Sequence, residues 1–275
     1  MVVPDKAPVD AKQPWAKREL VPPPGVDWAR ITEARTVRKM IGLMIIGGLL
    51  IVAQRVSAGP FEDGNAAYGR GDYATALKLW RPLAQQGNAI AQTSIAVLYY
   101  KGQGVAQDYQ EAAKWLRFAA EQGIKEAQGA LGTMFKTGQG VAQNYKEAAK
   151  WLRFAAEQGY AEAQSSLGVM YAFGQGVSQD HKEAVKWYRL AVARGNVDAR
   201  SNLGVMYDKG WGVTRDNVRA HMWFNLAAAS LSGDKGNIDT NERDRVASKM
   251  TPAQIERAQE MARKCQESKF KDCGW

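Results

Sequence analysis

Residues 125–160 read KEAQGALGTMFKTGQGVAQNYKEAAKWLRFAAEQGY, and this stretch decides the fold because it returns in register every 36 residues. The segments 102–123 and 138–159 differ at only two of twenty-two positions, and four copies follow one another from residue 89 to about residue 230. A period of about 20 to 50 residues marks stacked supersecondary units, none of which can bury its apolar face alone. Such an array points to binding rather than to chemistry.

Within the quoted unit, Ala127, Leu131, Met134 and Phe135 recur at helical spacing until Gly138-Gln139-Gly140-Val141 breaks the pattern. A second helix is expected from Asn144, an N-cap whose capping box Glu147 would complete; Asp108/Glu111 and Asp180/Glu183 repeat the device. Tyr145, Ala148, Ala149, Leu152, Ala155 and Ala156 form its apolar stripe, and Gly159 stands where a left-handed residue ends a helix. Helices of about 12 residues are marginal alone, so packing against neighbours must stabilise them. Two columns of small residues say how close that packing is: Ala96, Gly132, Gly168 and Gly204 in the first helix, and Ala112, Ala148, Ala184 and Ala220 in the second. Glycine inside a helix costs about 0.5–1 kcal/mol relative to alanine, so its recurrence implies near contact. Trp115, Trp151, Trp187 and Trp223 form another column. Carbohydrate stacking is one use for tryptophans, but a residue fixed in every unit is read as core.

Outward from the repeats, residues 1–58 carry nine Lys/Arg against five Asp/Glu and so account for +4 of the formal charge of +9. Along the units basic and acidic residues alternate, as in Lys146/Glu147 and Lys182/Glu183, which reads as a solvated helix face without the basic stripe that nucleic acid requires. Residues 40–53 are an unbroken apolar run of fourteen, preceded by Arg38-Lys39 and followed by Val56-Ser57-Ala58. Those are the three parts of a secretory signal, too short for the roughly 20 residues of a spanning helix, with cleavage expected after Ala58. Residues 1–36 are Pro-rich, lack a sustained period and are expected to be disordered. They read as a mis-called start, Val37 serving as the initiating codon; the alternative is a cytoplasmic tail on an uncleaved anchor, in which case residues 38–55 touch the membrane. Either reading puts the repeats outside the cytoplasm, in the periplasm or secreted. There, Cys265 and Cys273 can pair as a disulfide; a metal pair would need further ligands, and neither His181 nor His221 lies near them in sequence.

The unit A-x-x-x-L-G-x-M-Y-x-x-G-x-G-V-x-x-D, at 163–180 and 199–216, followed by E-A-x-K-W-Y-R-x-A at 183–191, resembles the Sel-one-like repeat (SLR) family, a branch of the tetratricopeptide superfamily. The match runs from residue 89 to about residue 229, and 59–88 looks like a shortened first unit in which Gly69-Arg70-Gly71 replaces the longer loop. Residues 231–275 resemble the helical cap of bacterial members, with Thr251 and Pro252 reading as N-cap and first helical residue. The resemblance implies an all-α, right-handed superhelical solenoid of antiparallel helix pairs, used as an adaptor for other proteins at the cell envelope, with no cofactor. By similarity to tetratricopeptide arrays, first helices line a concave groove whose variable columns would meet the partner. Those columns are Thr93, Gly129, Ser165 and Ser201; Val97, Thr133, Val169 and Val205; Tyr100, Lys136, Ala172 and Asp208; and Lys101, Thr137, Phe173 and Lys209. Tyr100 and Phe173 stand out as anchors.

One cysteine-rich branch of the family is linked with β-lactam binding and hydrolysis. Ser232-Gly233-Asp234-Lys235 fits S-x-x-K and Lys136-Thr137-Gly138 fits K-T-G, but S-D-N is missing and the second match is explained by repeat register, its equivalents being Tyr100-Lys101-Gly102 and Asp208-Lys209-Gly210. His181 and His221 occupy positions that are Tyr109, Tyr145 and Asn217, or Ala113, Ala149 and Val185, in the other units, so they define no acid-base pair. No zinc-protease motif, multi-cysteine cluster or phosphate loop occurs. The chain therefore reads as a non-enzymatic protein-binding scaffold, with a β-lactam hydrolase and a membrane-anchored regulator as its rivals.

Overall fold

The computed structural model describes residues 59–230 and 233–275. The Pro-rich stretch, the signal-like run and Ser232 lie outside the described residues. Among the described residues there are twelve helices and no strand: α1 (Pro60–Gly69), α2 (Tyr73–Gln85), α3 (Ala89–Lys101), α4 (Tyr109–Glu121), α5 (Lys125–Thr137), α6 (Tyr145–Glu157), α7 (Ala161–Phe173), α8 (His181–Ala193), α9 (Asp198–Lys209), α10 (Asn217–Ala228), α11 (Gly233–Ala247) and α12 (Pro252–Glu267). From α1 to α11 each helix packs on the next in sequence, and α12 returns to pack on α10. Helix pairs α1/α2 to α9/α10 are the repeat units, and the whole is an all-α solenoid. None of the described helices is long and apolar enough to cross a membrane.

The small residues in the first helices mark direct contact with the second helix of the same unit. A Cβ on Gly132 would lie 2.8 Å from Leu152 Cγ, one on Gly168 2.6 Å from the Tyr188 ring, and one on Gly204 2.7 Å from the Phe224 ring. In the shortened first unit Gly64 takes this place against Trp80, so the column survives the lost loop residues. Trp151, Trp187 and Trp223 are buried and Trp115 is half-buried, as core residues should be. Among the described residues the buried side chains form three successive clusters: one over the first unit and α3, one over the middle units, and one joining the last units to α11, α12 and the cysteines.

The second helices start as expected but close their caps differently. Asn144 accepts from the N–H groups of Lys146 and Glu147, and Asp108 and Asp180 do the same in their units. The reciprocal half of the box is absent, because each cap residue's own N–H donates to a carbonyl at the end of the first helix: Asp108 to Tyr99, Asn144 to Phe135, Asp180 to Tyr171. With that donor taken, Glu111, Glu147 and Glu183 turn outward and pair with Lys114, Lys150 and Lys186. A complete box does form at Thr251 and Gln254, where Pro252 opens α12. Tyr145, placed in the apolar stripe by spacing, is 36% exposed because it is the first residue of α6.

Candidate functional site

The sixteen residues of the four variable first-helix columns divide by what the next unit covers. In the first column Thr93, Gly129, Ser165 and Ser201 are all buried. The Tyr160 ring, at the entry to α7, lies against Gly129, and the Ser201 hydroxyl donates to Asp239 of α11 at 3.0 Å. Burial pushes the Tyr160 phenol well above its ordinary range, the nearby Glu162 and Glu126 adding to the shift. This column is a junction between units, not a groove wall, because the following first helix enters over it.

The third column is a junction as well. The Tyr100 ring meets Tyr109 edge-on at 5.1 Å, and its hydroxyl donates to Gln139 Oε1 in the next unit's loop at 3.2 Å. Burial raises its pKa. Ala172 is buried, Lys136 half-buried. Asp208, only 3% exposed, accepts from Arg245 of α11 at 2.9 Å and pairs with Lys209 at 3.3 Å. Burial pushes its carboxyl up, yet Arg245 and Lys209 outweigh that and hold it below the usual carboxylate range. Thus Thr93, Val97, Ser165, Ser201 and Asp208 are withdrawn from any open docking surface by burial, and Tyr100 is already engaged.

The remaining positions stay reachable. Lys101, Thr137 and Lys209 are exposed, while Thr133, Val169, Val205 and Phe173 are half-buried, the last three packing on the C-terminal core. The K-T-G match is local structure: the Thr137 hydroxyl bonds back to the Thr133 carbonyl at 3.0 Å, and Gly138, at φ 76°, ends α5 in the left-handed region. No group of His, Cys, Asp or Glu suited to a metal ion occurs among the described residues.

The C-terminal end carries a second constructed surface. Cys265 and Cys273 are joined as a disulfide with their Cα atoms 4.4 Å apart, which folds residues 268–275 back over α10. Trp275 stacks on Trp223 at 5.5 Å, and Arg219 donates to the Gly274 carbonyl at 2.9 Å. A cleft of about 370 Å³ results, lined by Arg189, Tyr207, Thr214, Arg215, Arg219 and Trp275 among others.

Sequence reading also passed over a column on the second helices, Phe118, Phe154 and Leu190, exposed at 42%, 42% and 41%. Their signal was present in the sequence: they recur every 36 residues but fall off the apolar stripe of their helices.

The Sel1 repeat model matches residues 61–88, 89–124, 125–160, 161–196 and 197–230, one match per helix pair. The chain belongs to the Sel1 repeat family. Among solved structures, this Sel1 protein is similar to a protective antigen of uropathogenic Escherichia coli strains that displays an SLR fold: 33% identity, TM-score 0.69, covering 77% of this chain and 46% of the antigen. It therefore spans about half of that antigen's length. A Sel1 repeat protein from Oxalobacter formigenes is 31% identical with a TM-score of 0.61, over 68% of this chain and 83% of that one. No curated protein matches. Sel1 repeat proteins mediate protein–protein interaction, and their scaffolds are typically non-enzymatic.

Proposed function

We propose that this Sel1 protein is an exported adaptor at the bacterial cell envelope, holding partner proteins along its solenoid. The observation that carries the reading is the combination of five Sel1 units with a first-helix column that changes chemistry from unit to unit, Lys101, Thr137 and Lys209 exposed and Phe173 half-buried. A rigid, preformed surface lowers the ordering cost of association, so a few anchors along it suffice for affinity. Export, to the periplasm or beyond, is supported by the signal-like run at 40–53 and by the bonded cysteines, since structural disulfides persist in oxidising compartments.

The test is in-cell photocrosslinking from positions 137, 173 and 209, followed by mass spectrometry, with fractionation of the same cells. Discrete protein adducts from these positions, in the envelope fraction, are expected. Adducts no different from those of an α12 surface position such as Glu256, or a protein confined to the cytoplasm, would overturn the adaptor and export readings respectively.

A further inference from the structure

The second helices carry two sets of cations at the same 36-residue period, and the structure treats them differently. Lys114, Lys150 and Lys186 are paired with Glu111, Glu147 and Glu183. The arginines three residues further on have no carboxylate partner among the described residues. Each instead lies across an aromatic side chain of the next first helix. Arg81 donates to the Tyr99 hydroxyl at 2.8 Å, Arg153 to Tyr171 at 2.6 Å and Arg189 to Tyr207 at 3.1 Å, while Arg117 sits 5.6 Å from the Phe135 ring centre. A guanidinium has five donors, and a neutral phenol uses one of them without closing an ion pair. The cations of the second helices thus fall into two rows, lysines paired with acids and arginines lying on aromatic rings. Arg81 and Arg117 are exposed, Arg153 is half-exposed, and Arg189 closes the row beneath Trp275. Immediately after three of them come the exposed Phe118, Phe154 and Leu190.

We propose that this row is a docking track for an extended acidic segment of a partner protein, which deepens the protein-binding reading by giving the partner its chemistry. Gln158, just past α6, donates to the Gly123 carbonyl, just past α4, at 3.1 Å, so successive second helices run side by side at roughly the 10 Å spacing of neighbouring helices. An extended or polyproline-type chain advances about 3.1–3.4 Å per residue, so a carboxylate at every third position meets one arginine per unit. Apolar side chains between the acids fall on the Phe118, Phe154 and Leu190 column. Single-stranded nucleic acid is the poorer fit. Glu121 and Glu157 lie one turn beyond Arg117 and Arg153, and Glu111, Glu147 and Glu183 line the same helices. They repel a polymer with a phosphate about every 3.4 Å at each step along the track, and a peptide charged once per unit only at its few carboxylates.

Fluorescence anisotropy with the full chain tests the track, using a labelled peptide of about twelve residues, which at that pitch spans the three units whose arginines stand clear of Trp275 and leaves a margin at its ends. The probe has Glu at every third position and Leu or Phe between; controls are the same composition with its Glu residues in one block, and oligo-dT. The spaced peptide is expected to bind, and Arg117→Gln/Arg153→Gln to weaken it about tenfold or more. Lys114→Gln/Lys150→Gln, the same charge change on the same helices, should cost less than about twofold. Phe118→Ser/Phe154→Ser, at positions 42% exposed that also touch Trp115 and Trp151 edge-on, should weaken binding while thermal melting shows the array still folded, and it decides the matter if the arginine variant melts. Absence of binding by the spaced peptide, equal losses from the lysine and arginine variants, or oligo-dT binding as tightly would each overturn the track. Persistent crosslinking from positions 137, 173 and 209 in that event would leave the adaptor reading standing without it.

Discussion

The middle of the array and its C-terminal end use one scaffold and are held together in opposite ways. Between α3 and α7 each junction repeats the last: Gln122 Nε2 donates to Gln92 Oε1 and Gln158 Nε2 to Gln128 Oε1, both at 2.8 Å, and Gln92, Gln128 and Gln164 each donate to a carbonyl of the preceding second helix. Past α8 the ladder stops. Arg194 stands where Gln122 and Gln158 stood, leaving Gln164 Oε1 without a partner among the described residues, and Arg200 replaces the ladder glutamine. Arg200 reaches the Ser230 hydroxyl at 2.6 Å and lies 3.9 Å from the Phe270 ring. Its burial lowers its pKa. The end is then closed by contacts that occur once: Ser201–Asp239, Asp208–Arg245 and the disulfide. A middle unit is covered by copies of itself. The last unit has no successor, so polar and covalent links that need specific partners replace repeated packing.

That contrast can be broken by experiment, beginning with the core. Leu152→Ala should cost about 2–5 kcal/mol through lost burial and the cavity left behind. In a nearest-neighbour array the loss of hydrogen-exchange protection should centre on α5 to α7 and leave α10 to α12 protected. Uniform loss over all helices would show that middle and end are one cooperative block.

Cys265→Ser/Cys273→Ser should cost about 2 kcal/mol and release residues 268–275. The readouts are proteolysis near the C-terminus and the fluorescence of Trp275 and Trp223, with the middle units unchanged.

A pH effect should also be confined to the end. Burial, with Arg243 adding to it, lowers the pKa of His221, so the folded state binds its proton less readily than the unfolded chain does. That contribution is present above the unfolded value of about 6.5 and is lost as pH falls toward the folded one. Asp208, also depressed, adds a loss at lower pH: its contribution is present above about 3.9 and disappears as pH falls through the folded value. The urea midpoint should drop between pH 7 and 5 in the native chain, and His221→Ala, which installs the residue found at 113 and 149, should flatten that interval. The smallest effect belongs to Lys150→Gln, under about 0.5 kcal/mol by thermal melting, because the pair with Glu147 is exposed.

Much of the fold was legible because a helix end is a local event. Asn144 as N-cap and Gly138 as stop need only backbone geometry, and the Gly132–Gly168–Gly204 column needs only the fact that glycine is costly in a helix unless something lies close. The missing half of the capping box depended on where the Asn144 N–H goes, and its acceptor is the Phe135 carbonyl of another helix. The candidate groove failed at Thr93, Ser165 and Ser201 for a related reason. A 36-residue column fixes register, but a junction and an open face have the same period.

The sequence by itself determined the unit, its two helices, their caps and the glycine contacts, since these depend on residues within one hairpin and on spacing. Only the tertiary structure decided which columns face a neighbour and which face water, that Lys150 meets a carboxylate while Arg153 meets a phenol, and that α11 covers Ser201 and Asp208. Those outcomes depend on how one unit is rotated onto the next, and that rotation is set by the packing of side chains far apart in the chain.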